Sequence, residues 1–448
     1  MNIVICGAGQ VGSYTAEVMA GHNHNITVID TDTRRLRTLE ESLDVRTLVG
    51  NCAAAETLRN AGADRADLVV AATNNDEANL LGAAVAGGLG AGKCIARVHH
   101  REYFEEKGLS YKEHLRINGL ICPEFSTARA IARTLRNPGA IAIESFARGQ
   151  VQMQELTVSR KAKAVGRSLA ELRLPAGARL VGITRNHEVF LPDAQTTIQP
   201  DDVVILTGNT DTFQTARKWF GEHRNERTRI VIMGGPSMAV WVCRALRDRN
   251  FSIRVFERKP ERAAELADII DWATVLNADP IDPAIFKEES LEQADTFVGL
   301  VDDDERNILG SAWAKSMGVK QAIAVVQRPN YLHLLGAIGI NHAFSPRIVA
   351  VREILNLIDD SPVRKTASLG EGVLDVYQVQ VGKGAPAADR PLREVKIKGD
   401  WVIAAVQSGD NVFVPGANDS LKPGDTALVV ARHGMDKQLI EAFQGSGH

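Results

Sequence analysis

The sequence predicts an α/β protein built twice over: two tandem Rossmann-like parallel-sheet domains, each followed by a small β-rich α+β module. Three observations carry this. A strand, a glycine turn, a helix and a second strand open the chain. An eroded copy of the same pattern starts at Arg229. After each copy come a helical segment and short apolar runs separated by Pro-Asp and Pro-Gly turns. The expected domains are 1–124, 140–223, 229–347 and 366–448. Linkers are expected at Asn137-Pro138-Gly139, Gly221 to Arg227 and Asp359 to Pro362.

Asn2 to Cys6 is rich in β-branched residues, as a buried parallel strand requires. Gly7-Ala8-Gly9-Gln10-Val11-Gly12 follows at once, then a helix from about Ser13 to Ala20 and a strand from Ile26 to Ile29 that ends at Asp30. In such a turn Gly7 permits the tight bend, Gly9 lets backbone N–H groups approach a pyrophosphate, and Gly12 lets helix pack on strand. The phosphates would sit at the helix N-terminus, where unpaired N–H groups and the helix dipole favour an anion. Asp30 lies near the ~20-residue offset of a carboxylate that binds ribose hydroxyls, and it disfavours a 2′-phosphate, so NAD is expected over NADP. Arg34 and Arg35 nearby pull the other way.

The second copy runs Ile230 to Met233, then Gly234-Gly235-Pro236-Ser237-Met238-Ala239, a helix from about Val240 to Asp248, a strand from Ile253 to Phe256, and Glu257. Gly234 falls on Gly7, Pro236 on Gly9, Ala239 on Gly12 and Glu257 on Asp30. Proline has no N–H to offer a phosphate. The fold is expected to persist here, with nucleotide binding weakened, altered or lost.

Ala66 to Asn79 matches Ala294 to Asn307: each is an apolar strand ending in a polar cluster that opens a helix. Ligands of open α/β sheets bind at the carboxyl ends of strands, which points to Thr73 and Asn74. Asn74, Asn75 and Asp76 also read as helix caps. Arg97 closes the strand Ile95 to Val98, where an arginine can pair with phosphate; its counterpart is Val325.

In the first β-rich module, Gly166-Arg167-Ser168-Leu169 precedes a strand near Leu180 to Thr184, and Pro200-Asp201-Asp202 leads into Val203 to Leu206. In the second, Asp389 to Leu392, Val402 to Val406, Pro415-Gly416 and Pro423-Gly424-Asp425 follow in the same order.

Composition excludes several classes. A net charge of −3, with both signs mixed along 448 residues, gives no nucleic-acid footprint. No apolar run reaches the roughly 18 residues of a spanning helix. The chain enters its first strand directly, without a signal-peptide pattern. Cys6, Cys52, Cys94, Cys122 and Cys243 show no C-x-x-C spacing and read as reduced, buried thiols. His22 with His24, and His99 with His100, lack the companions of a metal site.

The GAGQVG start with Asp30, the Ala72 to Asn79 stretch, Ala96-Arg97-Val98, Gly166 to Leu169 and Pro200 to Val203 resemble RCK (also called KTN) regulatory domains. The tandem order resembles the peripheral nucleotide-binding subunits of bacterial Trk potassium uptake systems. That resemblance implies NAD or NADH as ligand, with ATP and ADP as further candidates. It implies a homo-oligomeric ring on the cytoplasmic face of the inner membrane, beneath an integral-membrane, Trk-type potassium transporter subunit. It carries the contacts onto Gly7, Ala8, Gly9, Gln10, Val11, Gly12, Asp30, Thr73, Asn74 and Arg97, with Gly50 and Asn51 beside the adenine, and onto Gly234 and Glu257 in the second copy. The expected protein is regulatory rather than catalytic. An NAD-dependent oxidoreductase and a sensor serving another transporter are the alternatives; no His, Lys or Tyr stands as a hydride-transfer acid or base.

Overall fold

The computed structural model describes residues 1–21, 24–104, 108–136, 150–186, 188–221, 227–248, 250–359, 361–395 and 399–444. His22, the 137–139 linker, most of the 221–227 linker and residue 360 lie outside them.

The first α/β fold contains β1 (Asn2–Cys6), β2 (Asn25–Asp30), β3 (Arg46–Val49), β4 (Leu68–Ala71), β5 (Lys93–Arg97) and β6 (Gly119–Ile121). They form a parallel sheet in the order β3-β2-β1-β4-β5-β6. The strand order reverses direction beside β1, so its carboxyl end lies at a topological switch point. The first module holds β7 (Val151–Thr157), β8 (Ala178–Arg185), β9 (Glu188–Phe190) and β10 (Val203–Asn209), antiparallel in the order β7-β10-β8-β9.

The repeat follows. β11 (Thr228–Met233), β12 (Phe251–Phe256), β13 (Thr274–Leu276), β14 (Thr296–Gly299), β15 (Gln321–Val325) and β16 (His342–Phe344) make a second parallel sheet, β13-β12-β11-β14-β15-β16. β17 (Val363–Leu369), β18 (Leu374–Gln380), β19 (Trp401–Ser408), β20 (Asn411–Phe413) and β21 (Thr426–Arg432) form an antiparallel sheet, β17-β18-β21-β19-β20. The duplicated Rossmann-like architecture read from the sequence is therefore present in both halves.

By contacts the chain divides into two compact units. One joins both parallel sheets, 1–135 with 226–359; the other joins both antiparallel modules, 136–225 with 360–448. Within the second unit, Val151, Met153, Val181 and Ile205 share a core with Leu374, Val376, Leu428 and Val430. Arg179 bridges the two modules, donating from Nη1 to the Ile403 carbonyl at 2.9 Å.

Within the first unit the two sheets trade their last helices. Helix Pro123–Arg136, which closes the first repeat, sets Ala128, Ile131 and Leu135 in one core with Trp241 and Val242 of the second. The Phe125 ring meets Trp241 edge to face, centroids 4.9 Å apart. Helix Pro346–Ile358 reciprocates: Ala350 and Ile354 are buried against Ala16 and Met19 of the first repeat. An amphipathic helix must bury its apolar stripe somewhere; here each stripe is covered by the other copy.

Candidate nucleotide-binding site

At Gly7 the chain leaves β1 with φ +104°, and its N–H donates to the Ile29 carbonyl at 2.7 Å. A Cβ on Gly7 would lie 2.9 Å from the Ala72 carbonyl oxygen, and one on Gly12 would lie 1.9 Å from the Gly7 oxygen. The fold itself forces both glycines. Gly9 is different. Its φ of −78° and ψ of −169° suit any residue, and the nearest atom to a Cβ there would be Arg35 Nη1, 3.9 Å away. What Gly9 preserves is an open approach to the N-terminus of helix Gln10–Ala20. That helix has no side-chain cap, so its first N–H groups and positive dipole end suit an anion. The helix starts three residues earlier than the expected Ser13, because the loop runs straight into its first turn.

Gly7, Gly9, Gln10, Asp30, Gly50, Asn51, Thr73, Asn74 and Arg97 line one cleft of about 620 Å³, joined by Asp32, Arg35, Cys52 and Asn75. Ala8 faces a neighbouring cavity. Val11 and Gly12 are packed beneath the loop rather than in the cleft.

Four of the predicted polar residues, Asp30, Asn51, Thr73 and Arg97, also have structural duties. Asp30, expected as a ribose ligand, braces the loop: Ala8 N–H donates to its Oδ2 at 2.5 Å and Asp32 N–H to its Oδ1 at 2.8 Å. Each oxygen keeps lone-pair capacity for a hydroxyl. Asn51 accepts from Ala53 N–H at 2.9 Å. Asn79 accepts from Thr73 N–H at 2.8 Å and from its hydroxyl at 2.7 Å, and donates to the Arg97 carbonyl at 3.0 Å, so it ties the ends of β4 and β5 together. Arg97 pairs with Glu124 at 2.8 Å rather than standing free, while its buried Nε has no partner.

His99 and His100 converge on buried Asp76, each Nδ1 at 2.8 Å, with both backbone N–H groups on the same carboxylate. The five cysteines are free and buried.

In the second copy Gly234 repeats the φ of +100° and the strand-to-strand bond, its N–H donating to Phe256 O at 2.8 Å. Glu257 repeats the brace, accepting from Gly235 N–H and Lys259 N–H at 2.9 Å each. Asn307 repeats the tie, from Val301 N–H to the Val325 carbonyl. The phosphate features do not repeat. Pro236 occupies the N-cap of helix Ser237–Ala245, and Arg262 Nε donates to the Gly235 carbonyl at 2.8 Å. Gly234 and Glu257 line a larger cleft of about 790 Å³ with Arg258, Lys259, Arg262 and Arg306, the last paired with Asp279. The acid that read as ligand evidence in both copies is a loop brace in both. The sequence marks Arg35 only as pulling against the NAD preference, not as part of the cleft lining, because it follows β2 without a motif. The cue was available in the repeat, since Arg262 is its counterpart.

Two glycine-turn α/β units, each followed by an antiparallel module, define a tandem nucleotide-binding-domain protein of the RCK type. The TrkA-N domain model matches residues 3–118 and 230–346, and the TrkA-C domain model residues 153–221. The Trk system potassium uptake protein TrkA homolog of Archaeoglobus fulgidus is 31% identical over 446 residues, 99% of this chain and the whole of that protein. TrkA of Vibrio alginolyticus is 30% identical over 92% of each chain. The chain belongs to the TrkA family. Among solved structures, the GsuK RCK domain superposes with a TM-score of 0.62 at 16% identity, over 99% of this chain and 94% of that one. The GsuK channel bound to NAD gives 0.61 at 16%, over 99% and 78%. These two establish the fold.

Proposed function

We propose that this chain is the nucleotide-binding regulatory subunit of a Trk-type potassium uptake system. NAD or NADH binds in the first cleft, and the bound form biases a homo-oligomeric ring that gates an integral-membrane potassium transporter subunit. A ligand that binds two ring states unequally shifts their populations, and one that binds them equally does nothing. Family membership supports the transport role. No helix among the described residues is long and apolar enough to cross a membrane, so the reading assigns conduction to a partner.

The observation that carries the binding assignment is Gly9. It is the one glycine of its turn that packing and backbone geometry leave unexplained, and it faces the uncapped helix end. The pyrophosphate is assigned to the N–H groups of Gly9 to Gly12, a ribose to Asp30, and the adenine side to Gly50 and Asn51. Gly9→Asp places a side chain and a negative charge in that space. Titration calorimetry with NADH should find binding abolished while the thermal midpoint stays at the wild-type value. A variant that binds NADH normally and still supports potassium uptake rejects the assignment.

A further inference from the structure

Two thiols meet at the floor of the first cleft. Cys6 ends β1 and is fully buried. Cys52 follows Gly50 and Asn51 after β3 and lines the cleft, so a small oxidant reaches it through the opening. Both belong to one core. In the sheet β2 stands between β1 and β3, so strand pairing alone does not make them neighbours. The loop after β3 does. It leans inward across the carboxyl ends of the strands as far as helix Asp76–Leu89, which packs on β4 and β5. A Cβ on Gly82 of that helix would lie 2.9 Å from the Cys52 carbonyl oxygen and 3.6 Å from its Sγ. The Cys52 Sγ lies 4.0 Å from the Ala78 carbonyl oxygen of the same helix. There the two cysteine side chains interact directly. A hydrogen bond between them raises the pKa of Cys6 and lowers that of Cys52, against the burial of Cys52 and the charge of Asp30.

The remaining cysteines differ. Cys94 sits on β5, with β4 between it and β1. Two strand spacings put it about 10 Å from Cys6, past the roughly 7 Å that a disulfide spans between Cα atoms. Burial pushes the Cys94 thiol up to about 11 and the Cys243 thiol up to about 12, and it raises Cys122 as well. The thiolate is the reacting form, so these three are poor nucleophiles. The second repeat has Met233 before Gly234, where the first has Cys6 before Gly7. A thioether forms no disulfide. The pair therefore belongs to the copy that keeps its open glycine loop. A thiol of lowered pKa that reaches a cleft, with a second thiol beside it, is the arrangement of a redox sensor.

We propose that Cys52 and Cys6 form a peroxide-sensitive pair whose disulfide shuts the adenine side of the first cleft. The proposal rests on the nucleotide reading of that cleft. The Cys52 thiolate attacks one oxygen of hydrogen peroxide. The O–O bond breaks, hydroxide leaves and takes up the proton that Cys52 had released, and Cys52 becomes a sulfenic acid. The Cys6 sulfur then attacks Cys52 Sγ. The S–S bond forms as the S–O bond breaks, and the departing hydroxide takes the Cys6 proton. In sum, two thiols and one peroxide give one disulfide and two waters. A covalent bond is shorter than a contact between thiols, so it draws Cys52 toward β1, and Gly50 and Asn51 move with it. Nucleotide in the cleft covers Cys52 and slows the first step.

The test treats the reduced full chain with hydrogen peroxide and digests it with trypsin under non-reducing conditions. Peptides 1–34 and 47–59 each carry one cysteine of the pair. They should appear joined, and NADH present during oxidation should slow the joining. NADH affinity should fall by roughly tenfold or more on oxidation and return with dithiothreitol. Reduced Cys6→Ala should bind NADH within about twofold of wild type, and after peroxide its Cys52 should be trapped by dimedone as the sulfenic acid. If that variant fails to fold, the wild-type peptide map and its reversal by dithiothreitol still decide. Joined peptides with NADH affinity unchanged, or NADH binding with no joined peptide after peroxide, overturn the proposal and leave the functional reading standing. A reduced chain that binds no NADH removes both.

Discussion

At the scale of single residues, the three glycines of one motif divide by cause. Gly12→Ala should destabilise the fold, because its Cβ would sit within 1.9 Å of the Gly7 oxygen. Gly9→Asp should leave stability alone and remove binding. Parallel melting and binding curves for the two separate packing from ligand space. Asn79 belongs with the packing residues: Asn79→Ala would leave Thr73 N–H and the Arg97 carbonyl without their partner, costing about 1–3 kcal/mol in urea unfolding. The Asp76 cluster predicts a pH response. The hydrogen bond to Asp76 raises the His100 pKa, with Glu102 and Glu77 adding to it. A raised folded-state pKa contributes stability that is fully present below the unfolded value near 6.5 and is lost as pH rises through the folded value. Denaturation midpoints should therefore fall as pH climbs above about 6.5, and His100→Ala should flatten that slope. An unaltered slope in the variant would assign the effect elsewhere. The glycine roles are legible in the motif, but the duties of Asn79 and of the Asp76 cluster are not. Spacing marks Asp30 and Glu257 as acids after a strand, but only the folded loop reveals that each accepts two backbone N–H groups.

At the scale of elements, the βαβ units were legible because their signals are local. A strand reads from its β-branched run, the turn from its glycines, the following helix from what comes after. The exchange of helices Pro123–Arg136 and Pro346–Ile358 was not legible, since an apolar stripe does not say which surface covers it. That exchange makes a prediction. Ile354 lies in the second repeat's sequence and in the first repeat's core. Ile354→Ala should cost about 2–5 kcal/mol, and hydrogen exchange should find the loosening in β1 and helix Gln10–Ala20 as well as in its own helix. Loosening confined to 346–358 would contradict the shared core. The ion pair of Arg97 with Glu124 escaped the sequence reading for a similar reason: the two lie on different elements, β5 and helix Pro123–Arg136, that meet only in the fold.

At the scale of the whole chain, duplication was the most readable feature and its unevenness the most informative. The second copy keeps the backbone bonds that brace its loop, from Gly234 to Glu257 to Asn307. It gives up the donor position at Pro236 and the cation at Val325. Equilibrium dialysis should accordingly find a single dinucleotide per chain. Two equivalent sites would mean that the second cleft still cradles a pyrophosphate. The traded helices bear on this in a further way. Two separate identical chains that swapped helices would have to carry the same residue at both ends of the exchange. Fusion into one polypeptide lifts that constraint, so one helix can start with an acid and its twin with a base. Heredity then acts on each partner of the handshake alone, and two loops that began alike are free to diverge, one keeping Gly9 and the other taking Pro236.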